Sequence, residues 1–275
     1  MGFWLRVSKI DRRILFLLMG FAIVLPLLHP LGLPFSVEKS VQDIYDQIEA
    51  LPPGARVLLS ADYDAASMPE IHPFTISALR HLFRKKAHVV IMTLWYAGPP
   101  MVQDALDIAK KEFPDLKEGV DYDYLGFKEG KQIVMLGMGQ SIRSLFPTDA
   151  RGIALDDIPL MHDLDKLEQF DLMVNPSSGS PGTREWVQYA QSRYHMKIVA
   201  ANTAVQAADM IAYYGSRQIL GLAGGMPGAA QYEKLTGVAG TATAGLDVLN
   251  IGHLLIIAFV IVGNIAYFVT RKRSA

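Results

Sequence analysis

Val248 to Thr270 reads VLNIGHLLIIAFVIVGNIAYFVT, an uninterrupted run without an acid, lysine or arginine, and it stops at Arg271-Lys272-Arg273. A run of this length and composition suits a bilayer, because ~20 apolar residues in a helix match a hydrocarbon core of ~30 Å. A second run lies at the other end, Ile14 to Pro34, reading ILFLLMGFAIVLPLLHPLGLP. His29, Pro30 and Pro34 fall near its far end, where a spanning helix loosens into the interface. It lacks the shorter apolar core and small-x-small site of a cleaved signal peptide, so it reads as an uncleaved signal-anchor. Bases precede the N-terminal run (Arg6, Lys9, Arg12, Arg13) and follow the C-terminal one. The positive-inside rule then places both termini in the cytoplasm and the intervening chain outside the cell (inner) membrane. His253 and Asn264 are polar positions within the C-terminal run, either as rim positions or as partners in an interhelical hydrogen bond.

The chain divides accordingly into a cytoplasmic tail (1–13), a first transmembrane helix (14–34), an extracytoplasmic domain (35–247), a second transmembrane helix (248–270) and a short tail (271–275). Of 26 Lys+Arg and 27 Asp+Glu, the two ends hold seven bases and one acid, which leaves the domain at a net −7. An acidic domain without a basic tract argues against nucleic acid, whose phosphates need clustered Lys and Arg. The absence of cysteine excludes disulfides, thiolate metal sites and thiol catalysis.

Within the domain, short apolar runs alternate with amphipathic stretches. Strands are expected at 56–60, 88–93, 120–125, 132–136, 171–174, 197–200 and 218–222, with 120–136 forming a hairpin. Helices are expected at 37–50, around 76–86, and at 101–112, 184–193, 204–213 and 228–235. This order predicts an α/β fold, a mostly parallel Rossmann-like or flavodoxin-like sheet with helices on both faces, flanked by the two transmembrane helices. Gly237 to Gly245 reads as a flexible tether.

Ligands of an open parallel sheet bind beyond the carboxyl ends of its strands. Those ends supply Asp62 and Asp64, Thr93, Ser141, the loop Ser177, Ser178, Ser180 and Thr183, and Asn202 with Thr203. Asp62, Ser141, Ser178 and Thr203 are expected to face one cleft. The Ser177–Thr183 loop would offer hydroxyls and N–H groups to an anionic or polar ligand, with Thr183 as the helix cap and Glu185 nearby. The same letters also serve ordinary strand-to-helix turns. Asp62, Asp64, Glu70 and His72 are a conceivable hard-metal set, but two aspartates in a solvated turn explain them equally, and no metal is assigned.

Asp62-x-Asp64 after an apolar strand resembles the haloacid-dehalogenase phosphatases, a likeness that would make Asp62 the nucleophile, Asp64 the acid/base and Thr93 a second motif. Ala65-Ala66 departs from that family's pattern, and the later lysine and acidic pair have no counterpart at a strand end. The strand–Ser-Pro-Gly–helix order at 171–186 resembles membrane-bound ClpP/crotonase-type peptidases, yet no serine stands in Ala204 to Ala208 where the nucleophile belongs. No G-x-S-x-G, H-E-x-x-H or Walker lysine occurs, and Gly137-Met-Gly139 lacks the third dinucleotide glycine. No cofactor is indicated.

Ser141–Asp149, Ser178–Trp186 and Leu220–Glu233 together resemble a family of bacterial membrane-anchored α/β proteins. The likeness implies anchoring and fold, covers about a third of the chain, and carries no activity or catalytic residue. Two functional readings follow. One is a non-catalytic accessory, docking or assembly subunit of a membrane complex. Its partners would be the lipid bilayer and either another membrane protein or further copies of itself. Gly221–Ala230 would be its contact surface or, alternatively, a buried last strand and turn. The other is an extracytoplasmic hydrolase or small-anion sensor using the strand-end rim.

Overall fold

The computed structural model describes residues 2–7, 9–29 and 31–271; Pro30 and the basic residues Lys272 and Arg273 lie outside the described residues. These residues form two units, the domain Phe35–Ala242 and a unit made of the two terminal apolar segments.

The domain is built on a six-stranded sheet. Its strands are β1 (Arg56–Ser60), β2 (His88–Thr93), β3 (Tyr122–Phe127), β4 (Leu172–Ser177), β5 (Ile198–Asn202) and β6 (Gly221–Gly224). All neighbours are parallel, in the order β3-β2-β1-β4-β5-β6. The direction of winding reverses between β1 and β4, the switch point of a doubly wound fold.

The helices carry the labels α1 (Arg12–Leu28), α2 (Lys39–Glu49), α3 (Met68–Arg84), α4 (Pro99–Lys110), α5 (Gln132–Met138), α6 (Ile142–Leu145), α7 (Thr183–Trp186), α8 (Ala204–Gly215), α9 (Gly225–Thr236) and α10 (Thr241–Arg271). One face of the sheet is covered by α3, with α4, α2 and α9 packed around it. The other face carries α5, α6, α7 and α8, where Leu58, Met92, Leu125, Met173, Ile198 and Leu222 meet Met135, Trp186 and Met210 in one core. Central strands buried on both sides explain the near-continuous apolar runs of β1, β2 and β4.

The expected hairpin is corrected. Tyr122–Phe127 is a parallel edge strand, and 132–138 is a helix. Val134, Met135 and Met138 are its buried positions, a helical spacing in a run too short for periodicity alone to classify. Gly221–Ala230 is largely buried, forming β6 and the first turns of α9. The tether is shorter than expected, because α10 already begins at Thr241. Its first free N–H groups are engaged by Glu233, whose carboxylate accepts from Gly240 N (3.0 Å) and Ala242 N (3.2 Å).

In the terminal unit, α10 is the only helix among the described residues long and apolar enough to cross a membrane. The sequence led us to expect two. The N-terminal helix α1 spans 17 residues, about 26 Å at the α-helical rise, and the chain leaves it at His29. Beyond it, the Gly32 and Leu33 N–H groups donate to the Asp247 carboxylate of α10 (2.8 and 3.0 Å). Asn264 bonds within its own helix, Nδ2 to the Val260 carbonyl (2.9 Å), rather than across helices.

Candidate functional site: the crevice at the strand reversal

β1 runs on past Ser60, so that Asp62 sits between the ends of its neighbours. The Asp62 N–H donates to the Pro176 carbonyl (2.8 Å), and the Ser178 N–H donates to the Asp62 carbonyl (3.1 Å). The Asp62 side chain is fully buried. It accepts from the Leu94 N–H (2.9 Å), Asn175 Nδ2 (2.8 Å), Trp186 Nε1 (2.9 Å) and the Ser60 hydroxyl, which is 2.9 Å from both oxygens. Burial raises its pKa to about 6, while the four donors pull the other way. The four donors around it are the set that suits an ionised carboxylate. A carboxylate offers about four lone-pair sites, and four donor groups occupy them. Both oxygens are thus engaged by the chain's own donors.

The network continues outward from Asn175. Its Oδ1 accepts from the Thr183 hydroxyl (2.8 Å), and Thr183 accepts from Asn202 Nδ2 (2.9 Å). Asn202 also donates to the Ser177 carbonyl and the Gln206 side chain, and Gln206 Nε2 reaches the Gly179 carbonyl (3.1 Å). The loop 177–182 thus folds into the crevice. Trp95 holds it from the other side by an indole bond to the Pro181 carbonyl (2.7 Å). Glycine is needed at 182, where a Cβ would lie 2.0 Å from Ser177 Oγ.

Helix N-termini at this rim should attract anions, and the chain's own carboxylates occupy two of them, those of α7 and α8. Asp64 accepts from Ala66 N (3.1 Å) in the 3-10 turn Ala65–Ser67 that precedes α3. Glu185 accepts from Gly182 N (2.9 Å) and from the Ser180 hydroxyl (2.8 Å) at α7. Glu70 reaches from α3 to Ala204 N (2.8 Å), the first residue of α8. Two buried atoms at the rim have no hydrogen-bond partner, Ser178 Oγ and Asn202 Oδ1.

The structure therefore brings Asp62, Ser177, Ser178, Thr183 and Asn202 together. Thr93 and Thr203 stand at flanking strand ends, and Asp64 and Ser180 are used in caps. Gly182, not Thr183, is the cap residue of α7. Ser141 does not belong to this group, because the segment before it is a helix rather than a strand. It caps α6 and bonds Asp165 (3.1 Å), beside Asp163, whose carbonyl accepts from Arg56 at the amino end of β1. That tie places Ser141 at the opposite end of the sheet. The residues that complete the network, Ser60, Asn175 and Trp186, were not among those the sequence singled out. Asn175 had a legible signal: a polar amide within an apolar central strand must find partners.

The conceivable metal set is dispersed in the same way, and no cluster of three or more His, Asp or Glu able to hold a metal occurs among the described residues. His72 is taken up between the Tyr63 hydroxyl (2.8 Å, at Nδ1) and Asp104 (2.9 Å, at Nε2). His81, on the same helix α3, repeats the arrangement with Tyr232 (2.8 Å) and Glu49 (2.9 Å). Burial lowers both histidine pKa values against the pull of the carboxylates. Each ring links α3 to a neighbouring helix, His72 to α4 through Asp104 and His81 to α2 through Glu49. Compared with protein-family models, curated proteins and solved structures, the chain matches none of them.

Proposed function

We propose that this chain is a membrane-anchored, non-catalytic docking or assembly subunit. Both apolar segments would sit in the membrane, both termini in the cytoplasm and the α/β domain outside. The observation that supports a non-catalytic role is the saturation of Asp62. The position where a doubly wound fold usually carries its chemistry is filled by internal hydrogen bonds, and the N-termini of α7 and α8 hold carboxylates. The bonds from Gly32 and Leu33 to Asp247 support pairing of the two apolar segments, with the shorter α1 accommodated by local thinning of the bilayer.

The test compares Asp62→Asn and Ser178→Ala in full-length protein extracted in mild detergent. Ser178→Ala is expected to leave folding and co-purifying proteins unchanged, and Asp62→Asn to lose partners only as far as it loses folding. One observation favours the alternative of an anion-binding sensor, the unpartnered Ser178 hydroxyl. A thermal shift of wild type with inorganic phosphate, abolished in a normally folded Ser178→Ala, would support that alternative. For the topology, protease added outside the inner membrane should cut within 35–247 while tags at both ends stay protected.

A further inference from the structure

The two edges of the sheet are treated differently. Along β3, the segment 147–154 closes the edge: the Ala150 N–H donates to the Tyr124 carbonyl (2.9 Å), and Arg151 bonds Asp123 (2.8 Å). At the other edge, β6 is only four residues long. Leu220 N–H donates to Ile198 O of β5 (2.7 Å), so the alternation of a parallel ladder turns the backbone polar groups of Gly221 and Ala223 away from β5. Two helices flank this edge, one on each face. α2 packs against Gly221, where a Cβ would lie 2.7 Å from Ile44 N, and α8 packs against Gly224. Between them runs a groove of about 440 Å³, lined chiefly by Ala204, Ala207, Ala208, Ile211, Tyr214 and Leu222.

The outer side of α8 continues that apolar surface. Val205 is 88 % exposed and Ile211 63 %. Ala204, Ala208, Ile211, Ala212 and Gly215 are all exposed and fall, with Val205, on one arc of about 120° of the helix. The inner side is apolar too, through the buried Ala207 and Met210. A helix apolar on both sides is expected to be covered on both. α8 contains no lysine or arginine, which a helix lying on a membrane surface carries on its polar side.

We propose that this face docks a second copy of the chain, α8 against α8, antiparallel about a two-fold axis. A two-fold contact must be complementary to itself, and this one is. Its charges are Asp209, which pairs with Arg184 (3.1 Å), and Lys39, which lines the groove beside Glu38 and pairs with Asp43 of its own helix. Exposed Glu38 lines the groove with Ala204 at the amino end of α8, and exposed Arg217 follows its carboxyl end. An antiparallel copy sets the Arg217 of each chain over the Glu38 of the other, and the small residues let the helix backbones approach. The inference rests on the docking reading above and names its partner.

The chain has no cysteine, so Ala208→Cys gives full-length protein in membranes a single thiol. Under mild oxidation we expect an adduct at twice the 30.3 kDa chain mass. Gln103→Cys, exposed on the other face of the sheet, should give none. Ile211→Glu added to Ala208→Cys should reduce the adduct about tenfold, the effect of ~1.4 kcal/mol, with an unchanged melting temperature. Arg217→Glu should weaken it, and Arg217→Glu with Glu38→Arg should restore it. A cross-link to a different polypeptide would overturn the second copy while leaving the docking reading intact. A thiol that reacts freely with a membrane-impermeant maleimide and gives no adduct would overturn both. Protection from that maleimide without any adduct would mean that something other than a second copy covers the face, which also overturns the proposal.

Discussion

The crevice over β1 and β4 and the face around β6 are opposite solutions to exposed sheet ends. In the crevice, polar groups are abundant and almost all are spent: Asp62, Asn175, Thr183 and Asn202 bond one another and the backbone. Around β6, the surface is apolar and unspent, with Val205 and Ile211 directed outward. On the reading proposed above, the serines and aspartates at these strand ends serve the fold rather than a ligand. They make the internal bonds that close the centre of the sheet, while the surface proposed for a partner lies where the letters are alanine, valine and isoleucine.

The largest expected effect comes from Asp62→Asn. Every partner of Asp62 is a donor, so an amide nitrogen would face donors and leave at least one unsatisfied. Each such group costs ~1–3 kcal/mol. A loss of ~3 kcal/mol corresponds to a fall in Tm of about 6–12 °C for a domain of this size. An unchanged Tm would break the comparison, since it would show the crevice tolerating an altered centre as a ligand site does.

Trp186→Phe removes one donor and keeps most of the ring, for an expected loss of ~1–2 kcal/mol at neutral pH. Its pH dependence sharpens the point. The Asp62 pKa is raised from 3.8 to about 6 in the folded protein, so this group favours folding most below pH 3.8 and loses that contribution as pH rises through 6. Removing a donor to the carboxylate raises the folded pKa further. The deficit of Trp186→Phe should therefore be widest above pH 6 and shrink toward pH 4, as paired thermal melts would show. A deficit independent of pH would assign the tryptophan to packing alone.

The smallest effect is expected at the other region. Val205→Ser and Ile211→Ser replace exposed side chains, so each should move monomer stability by no more than ~0.5 kcal/mol. Denaturant melts of the detergent-solubilised protein check this. A large loss in a protein shown to be monomeric would mean that α8 is buried within the chain, which removes the contrast.

Much of the fold was legible because buried parallel strands announce themselves. Arg56–Ser60 and His88–Thr93 were read with the bounds that the structure gives them, and β4 and β5 within a few residues. The segment 132–138 was misread because Ile133-Val134-Met135-Leu136 fits either period, and only burial of Val134, Met135 and Met138 together decides. That error carried Ser141 to the wrong end of the sheet. In the crevice, the nearness of Asp62 to Ser178 followed from strand ends alone. The contribution of Trp186 did not, because its indole reaches Asp62 across a separation in sequence that no local pattern encodes. The length of α1 was missed for a simpler reason: composition fixes how far an apolar run extends, not where the chain leaves the helix.

Hydrogen exchange at the Leu94 backbone amide tests most directly whether the crevice is closed structure. This N–H donates to Asp62 Oδ1 (2.9 Å) beyond the end of β2. In native full-length protein it should exchange only through global unfolding, with the same denaturant dependence as amides in β1 and β4. Exchange through a local opening, at rates typical of a surface loop and insensitive to low denaturant, would show that the crevice admits water, and would contradict the account.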